Sequence, residues 1–239
     1  MDHCKQEKER KTKIIKENLS NVVPGEDDHD FDLENFKKRL ESIRKELSSS
    51  KFFENLIEKL ISLPKSYENI LCLGLGRISS CHIALHQLSL LLELKTALRT
   101  NSVTVFDPVF SKQEKEILNS LECKVPEENM EGKYNISEGT LAYFPHCPHE
   151  LTDAFLSENF TKEKLLKIVL LCNSFERFTT SEPSRIIEER APFIGKIVDF
   201  SNIFEIENNY KFEDVFNDTA IHSFLEDKLP EEGTDFWDK

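Results

Sequence analysis

A chain of 239 residues suits one α/β domain with extensions and is long enough to bury a sizeable core. A formal charge of -13 and a pI near 5.1 argue against a surface built to grip polyanions, so direct nucleic-acid contact is not expected. No run reaches the roughly 18 uncharged apolar residues of a membrane helix, and the opening MDHCKQEKERKTK lacks the apolar core of a secretory signal.

The six cysteines are scattered without a CxxC spacing and read as reduced thiols, which places the chain in the cytoplasm, with the nucleus also open to it. Residues 1–30 are charged and poor in apolar side chains, and read as a disordered tail. From Phe31 the spacing turns helical, with Leu33, Phe36, Leu40, Ile43 and Leu47 three and four apart. A second helix is expected from Lys51 to Leu63, stopped by Pro64. Residues 31–64 are therefore a helical extension ahead of a domain spanning 65–239.

That domain alternates strand and helix. Strands are expected at 69–74 and 102–107, weakly at Cys123–Val125, then at Thr140–Phe144, Lys167–Cys172 and Ile197–Phe200. Helices fall at about 79–98, 111–121, 149–157, from Lys162, and at 182–190. Continuous apolar strands separated by helices imply a Rossmann-like α/β fold, a mostly parallel sheet with helices on both faces. The acidic segment from Phe204 keeps Phe212, Val215, Phe216 and Ile221, too much apolar content for a free tail, and is expected to dock.

The pattern Gly74-Leu75-Gly76 after an apolar strand is the turn that lets backbone approach a phosphate beneath a helix N-terminus. Ser79 and Ser80 suit a helix cap or a phosphate contact. The third glycine of a dinucleotide site is missing, and Cys72 occupies the acidic slot of a methyltransferase, so a turn kept for geometry alone stands beside the ligand reading. Asp107 ends the second strand, where a carboxylate accepts from ribose hydroxyls or satisfies its own turn. His82 and His86 share a helix face but lack the further ligands of a zinc site. Pro145-His146-Cys147-Pro148-His149 gathers soft donors at a strand end. Cys147 and His149 are its candidate haem or metal ligands, against a plain proline-shaped loop. Asn173 and Ser174 close a third strand at the same edge. No Ser–His–Asp or Cys–His set can be placed, so no catalytic residue is assigned.

Taken in order, ILCLGLGRISSCHIALHQLSLLLEL, VTVFDPVFSKQE, TLAYFPHC, KIVLLCNSF and FNDTAIHSF resemble the Sensitivity-to-Red-Light-Reduced, or SRR-like, family over about Asn69 to Phe224. Arg77 departs from it, standing where members often carry a small or polar residue. The resemblance implies a Rossmann-like regulatory protein without an established reaction, tied to clock input, clock-gene expression and regulation of haem biosynthesis through protein partners. The alternative is a nucleotide- or S-adenosylmethionine-dependent transferase using the same strand-end pocket, with a nucleotide-like small molecule as its ligand.

Overall fold

The computed structural model describes residues 32–238. The charged segment 1–30 lies outside the described residues. Two helices open the structure, α1 (Leu33–Ser48) and α2 (Lys51–Ser62). Asp32 caps the first by accepting from the Asn35 N–H at 3.0 Å, and Ser50 caps the second by accepting from Phe53 at 3.2 Å. They follow most of the predicted spacing: Phe36, Leu40 and Leu47 of α1 and Phe52, Phe53, Leu56 and Leu60 of α2 are buried, whereas Ile43 is only partly buried and Leu33, in the first turn of α1, is exposed.

The sheet is built from β1 (Asn69–Leu73), β2 (Ser102–Phe106), β3 (Thr140–Phe144), β4 (Ile168–Asn173), β5 (Ser201–Glu205) and β6 (Thr219–Phe224). Its order is β2-β1-β3-β4-β6-β5. The first four strands are parallel, and β6 inserts antiparallel between β4 and β5. The connecting helices are α3 (His82–Leu98), α4 (Lys112–Ser120), α5 (His149–Glu158), α6 (Lys162–Leu165), α7 (Phe175–Ser181), α8 (Ser184–Arg190) and α9 (Pro192–Ile197). This is the α/β, mostly parallel, two-faced architecture that the alternation predicts.

Alternate strand residues feed two separate cores. Ile70, Cys72, Leu141, Tyr143, Val169 and Leu171 pack with α1 to α4, whereas Leu71, Leu73, Ala142, Phe144, Leu170 and Cys172 pack with α5 to α9. The path from β1 to β2 therefore crosses one face and the path from β3 to β4 crosses the other. The two directions of winding part between β1 and β3, and the crevice above their C-terminal ends is the topological switch point.

Three expectations shift. The long helix starts at His82, because Arg77 to Cys81 forms a turn in which the Cys81 N–H donates to the Arg77 carbonyl at 3.0 Å. Cys123–Val125 makes only a bridge from Lys124 to Thr104, and Pro126, which has no N–H to give, follows at once. Ile197–Phe200 is not a strand: it ends α9 and continues as a 3-10 turn, with the strand beginning at Ser201. Among the described residues, no helix is long and apolar enough to cross a membrane.

The α3 helix is buried nearly all round, from Ala84 to Leu92 and at Leu94, because the sheet covers one side and the two leading helices another. Arg44 of α1 clamps it by donating to Glu93 at 2.7 Å. A chain starting at residue 65 is expected to lose cooperative unfolding and to bind a hydrophobic dye, since the outer side of α3 would be bare. Chemical denaturation followed by circular dichroism checks this; a sharp transition in the shortened chain would refute it.

Candidate functional site

The strand-end rim begins with the turn after β1. Gly74 and Gly76 both adopt φ of 75°, in the left-handed region that glycine enters without penalty. A Cβ on Gly74 would fall directly on the Cys147 sulfur, whereas one on Gly76 would meet nothing nearer than Ala84 at 4.0 Å. Conformation explains both glycines; close approach explains only the first.

Two carboxylates hold this turn. Asp107 is buried at the end of β2; one oxygen accepts from the Gly76 N–H at 2.7 Å and the other from the Val109 N–H at 2.9 Å. Glu114 is 1% exposed. One of its oxygens accepts from both the N–H and the hydroxyl of Ser79 at 2.9 Å. The other closes a capping box with the Ser111 N–H at 2.8 Å. Ser79 therefore neither caps α3 nor stands free for a phosphate. Ser80 is exposed, and Cys81, which does hold the α3 cap position, makes no side-chain cap bond.

The loop after β3 closes over the turn. Cys147 is 4% exposed and donates to the Leu73 carbonyl at 3.2 Å. Burial, and then the Asp107 carboxylate, push its thiol up to about 12. That is the reverse of the electropositive, partly open setting that yields a thiolate ligand. His149 stacks on Phe178 with centroids 4.0 Å apart, and burial lowers its affinity for a proton against the opposing pull of Asp218. Among the described residues, no group of three or more His, Cys, Asp or Glu side chains is placed to hold a metal ion. His146 faces solvent, as Pro148 does, and takes φ of 53°.

At the end of β4, Asn173 donates to the Cys147 carbonyl at 3.2 Å, so the third strand is stitched to the second loop. Ser174 is fully buried as the cap of α7, accepting from the Arg177 N–H at 3.2 Å while its hydroxyl donates to Glu205. Gly74, Cys147 and Asn173 thus come together; Gly76, Ser79 and Asp107 form a neighbouring set; Ser174 belongs to the β4–β6 end.

His82 is half-exposed, 3.8 Å from Asp214, while His86 is buried with its Nδ1 donating to the His82 carbonyl at 2.8 Å. Burial lowers the His86 proton affinity, and its ring meets Phe212 edge-on at 5.1 Å.

Residues 41–223 match the SRR1 domain, which is well over half of the chain. The chain belongs to the SRR1 family. An SRR1-like protein of Drosophila melanogaster is 32% identical over 213 residues, covering 87% of this chain and 75% of the relative. The Arabidopsis thaliana protein SENSITIVITY TO RED LIGHT REDUCED 1 is 28% identical over 213 residues, covering 81% and 77%. A shorter match, 34% over 137 residues, covers 56% of this chain and 55% of an SRR1-like protein of Mus musculus. Among solved structures, an SAH-bound methyltransferase of Podospora anserina aligns with 91% of this chain and 96% of its own at 12% identity. Its TM-score is 0.42, too low for any function to be carried across.

Sequence reasoning overlooked Glu114 in this SRR1 chain, although Ser111-x-x-Glu114 is a capping-box spacing that could have flagged it. It also overlooked His222. That ring is wholly buried, stacks on Phe175 at 3.8 Å, and accepts the Phe175 N–H at 3.1 Å through Nε2. Alternation within β6 marks it only as inward-facing.

Two outcomes follow from these contacts. Gly74→Ala should cost at least about 2 kcal/mol, from left-handed strain plus the sulfur clash, and Gly76→Ala only about 1 to 2 from the strain. Urea denaturation compares them, and equal losses would refute the packing argument. Burial pushes His222 down to about 3. The unfolded chain protonates this ring near 6.5 and the native one does not, so its share of stability is full above 6.5 and falls away toward pH 3. Asp153, pushed up to about 6 by burial, acts oppositely by favouring the native state as the pH falls. The stability difference between wild type and His222→Gln isolates the histidine and should shrink as pH drops from 6.5.

Proposed function

We propose that this chain is a regulatory protein without a reaction of its own. It acts through protein partners in circadian clock input and clock-gene expression and in the regulation of haem biosynthesis, in the cytoplasm and also the nucleus. The observation that carries this reading is the state of the rim. Asp107, Ser79, Cys147, Asn173 and Ser174 each make at least one hydrogen bond to the protein itself. A binding or catalytic edge holds such groups in readiness for a ligand; here they fix loops to one another, as suits a rigid scaffold that partners recognise. The Arabidopsis relative's name, which refers to red light, supports a role in light-linked timing.

A nucleotide- or S-adenosylmethionine-dependent transferase is the second reading. It is favoured by the left-handed turn at Gly74 and Gly76 lying beside Asp107 at the end of the neighbouring strand.

Cells lacking the protein, with and without the restored full chain, test the first reading through clock-transcript rhythm and haem content. A shift in either that the full chain reverses supports it, and normal rhythm together with normal haem overturns it. Calorimetric titration of the full chain with NAD, S-adenosylmethionine and ATP tests the second. Saturable heat with any of them keeps the transferase alive, and silence from all three removes it.

A further inference from the structure

One polar side chain at the rim is held in place without being used up. His146 sits two residues beyond β3, at the switch point, with its ring exposed. Its backbone takes φ of 53°, a conformation that costs a side-chain-bearing residue roughly 1 kcal/mol or more. Its one side-chain hydrogen bond among the described residues joins Nδ1 to the amide nitrogen of Gln87, at 3.3 Å. Gln87 is 2% exposed, on the inner side of α3. The same amide nitrogen lies 3.1 Å from the Val215 carbonyl.

The chemistry of that amide settles the direction of both bonds. A carbonyl oxygen only accepts, so the NH2 of Gln87, and not its oxygen, must face Val215. Its second hydrogen then points at His146 Nδ1, which must accept. In the neutral ring the proton consequently sits on Nε2, the nitrogen turned away from Gln87.

We propose that His146 is the ligand contact of this rim, an Nε2–H donor whose tautomer and aim are set by Gln87, and that it takes an oxygen acceptor of a small molecule, a phosphate above all. Gln87 is a positioning residue, acting only through the imidazole. This rests on the reading that the strand-end crevice receives a small ligand, and is independent of any clock or haem role. The neighbouring Gly76, Ser79 and Ser174 are tied down by Asp107, Glu114 and Glu205. His146, like the exposed Ser80, is a donor that a ligand meets without breaking a contact between loops, and it is the one whose aim is set by a buried partner.

The test uses the full chain labelled with 15N and long-range 1H–15N correlation of the imidazoles at pH 9. His146 is expected to be protonated on Nε2 in wild type, a mixture of tautomers in Gln87→Leu, and shifted toward Nδ1–H in Gln87→Glu, whose carboxylate accepts. A mixed or Nδ1-protonated ring in wild type overturns the proposal, as does a tautomer indifferent to Gln87→Leu. Inorganic phosphate and ATP are then titrated while the amides of Gly74 and Gly76 are followed. At least one probe should bind saturably and weaken about fivefold or more in His146→Ala, the size of one lost hydrogen bond. His146→Asn keeps a donor and tolerates the left-handed backbone, and should restore much of the binding. No saturable binding by either probe, or equal binding by wild type and His146→Ala, refutes the ligand role. Because His146 is exposed, its variants keep the test valid if the buried Gln87 variants do not fold.

Discussion

The burial of α3 governs one whole side of this molecule. A helix whose apolar residues run round nearly its full circumference cannot rest on a sheet alone, because the outer side would still face water. The chain resolves this by laying α1 and α2 across it, and by bringing Tyr210, Val215 and Phe216 over its leading end. Phe52 of α2 stacks on Phe216 with centroids 4.5 Å apart, so the first and last parts of the structure meet over the same helix. The burial also puts Gln87 within reach of both Val215 and His146, and so ties the covering segment to the rim.

The rim follows a second rule: buried polar groups are satisfied from within. Asp107 and Glu114 would be costly to bury without partners, and each meets backbone N–H groups of loops that need anchoring. Ser174 and His222 do the same for the start of α7. An SRR1 chain can therefore keep the outline of a nucleotide fold while committing many of the groups that such a fold offers to a ligand.

The legible parts of this architecture are the local ones. The apolar runs of β1 to β4, the glycine turn and the spacing in α1 and α2 are decided by neighbours a few residues apart, so the sequence discloses them directly. Ser79 resembles a cap or phosphate contact in the sequence because its partner, Glu114, lies thirty-five residues later and only the folded chain brings them together. The pairing of β5 with β6 was equally hidden, since short strands carry no mark of their direction or of which neighbour they will join. Cys147 looked like a soft ligand by residue type; its burial against Gly74 and Leu73 is a property of two loops closing, and no spacing encodes it.

The insertion of β6 has a consequence for the chain as it leaves the ribosome. β5 precedes β6 in sequence, yet it joins the sheet only through β6, so it has no place to pair until residue 224 has emerged. Throughout that interval β4 presents an unpaired edge rich in Ile, Val and Leu, the kind of template on which nascent chains join one another. Completion of the sheet is thus a late event in synthesis, and the last strand to arrive is the one that closes the open edge.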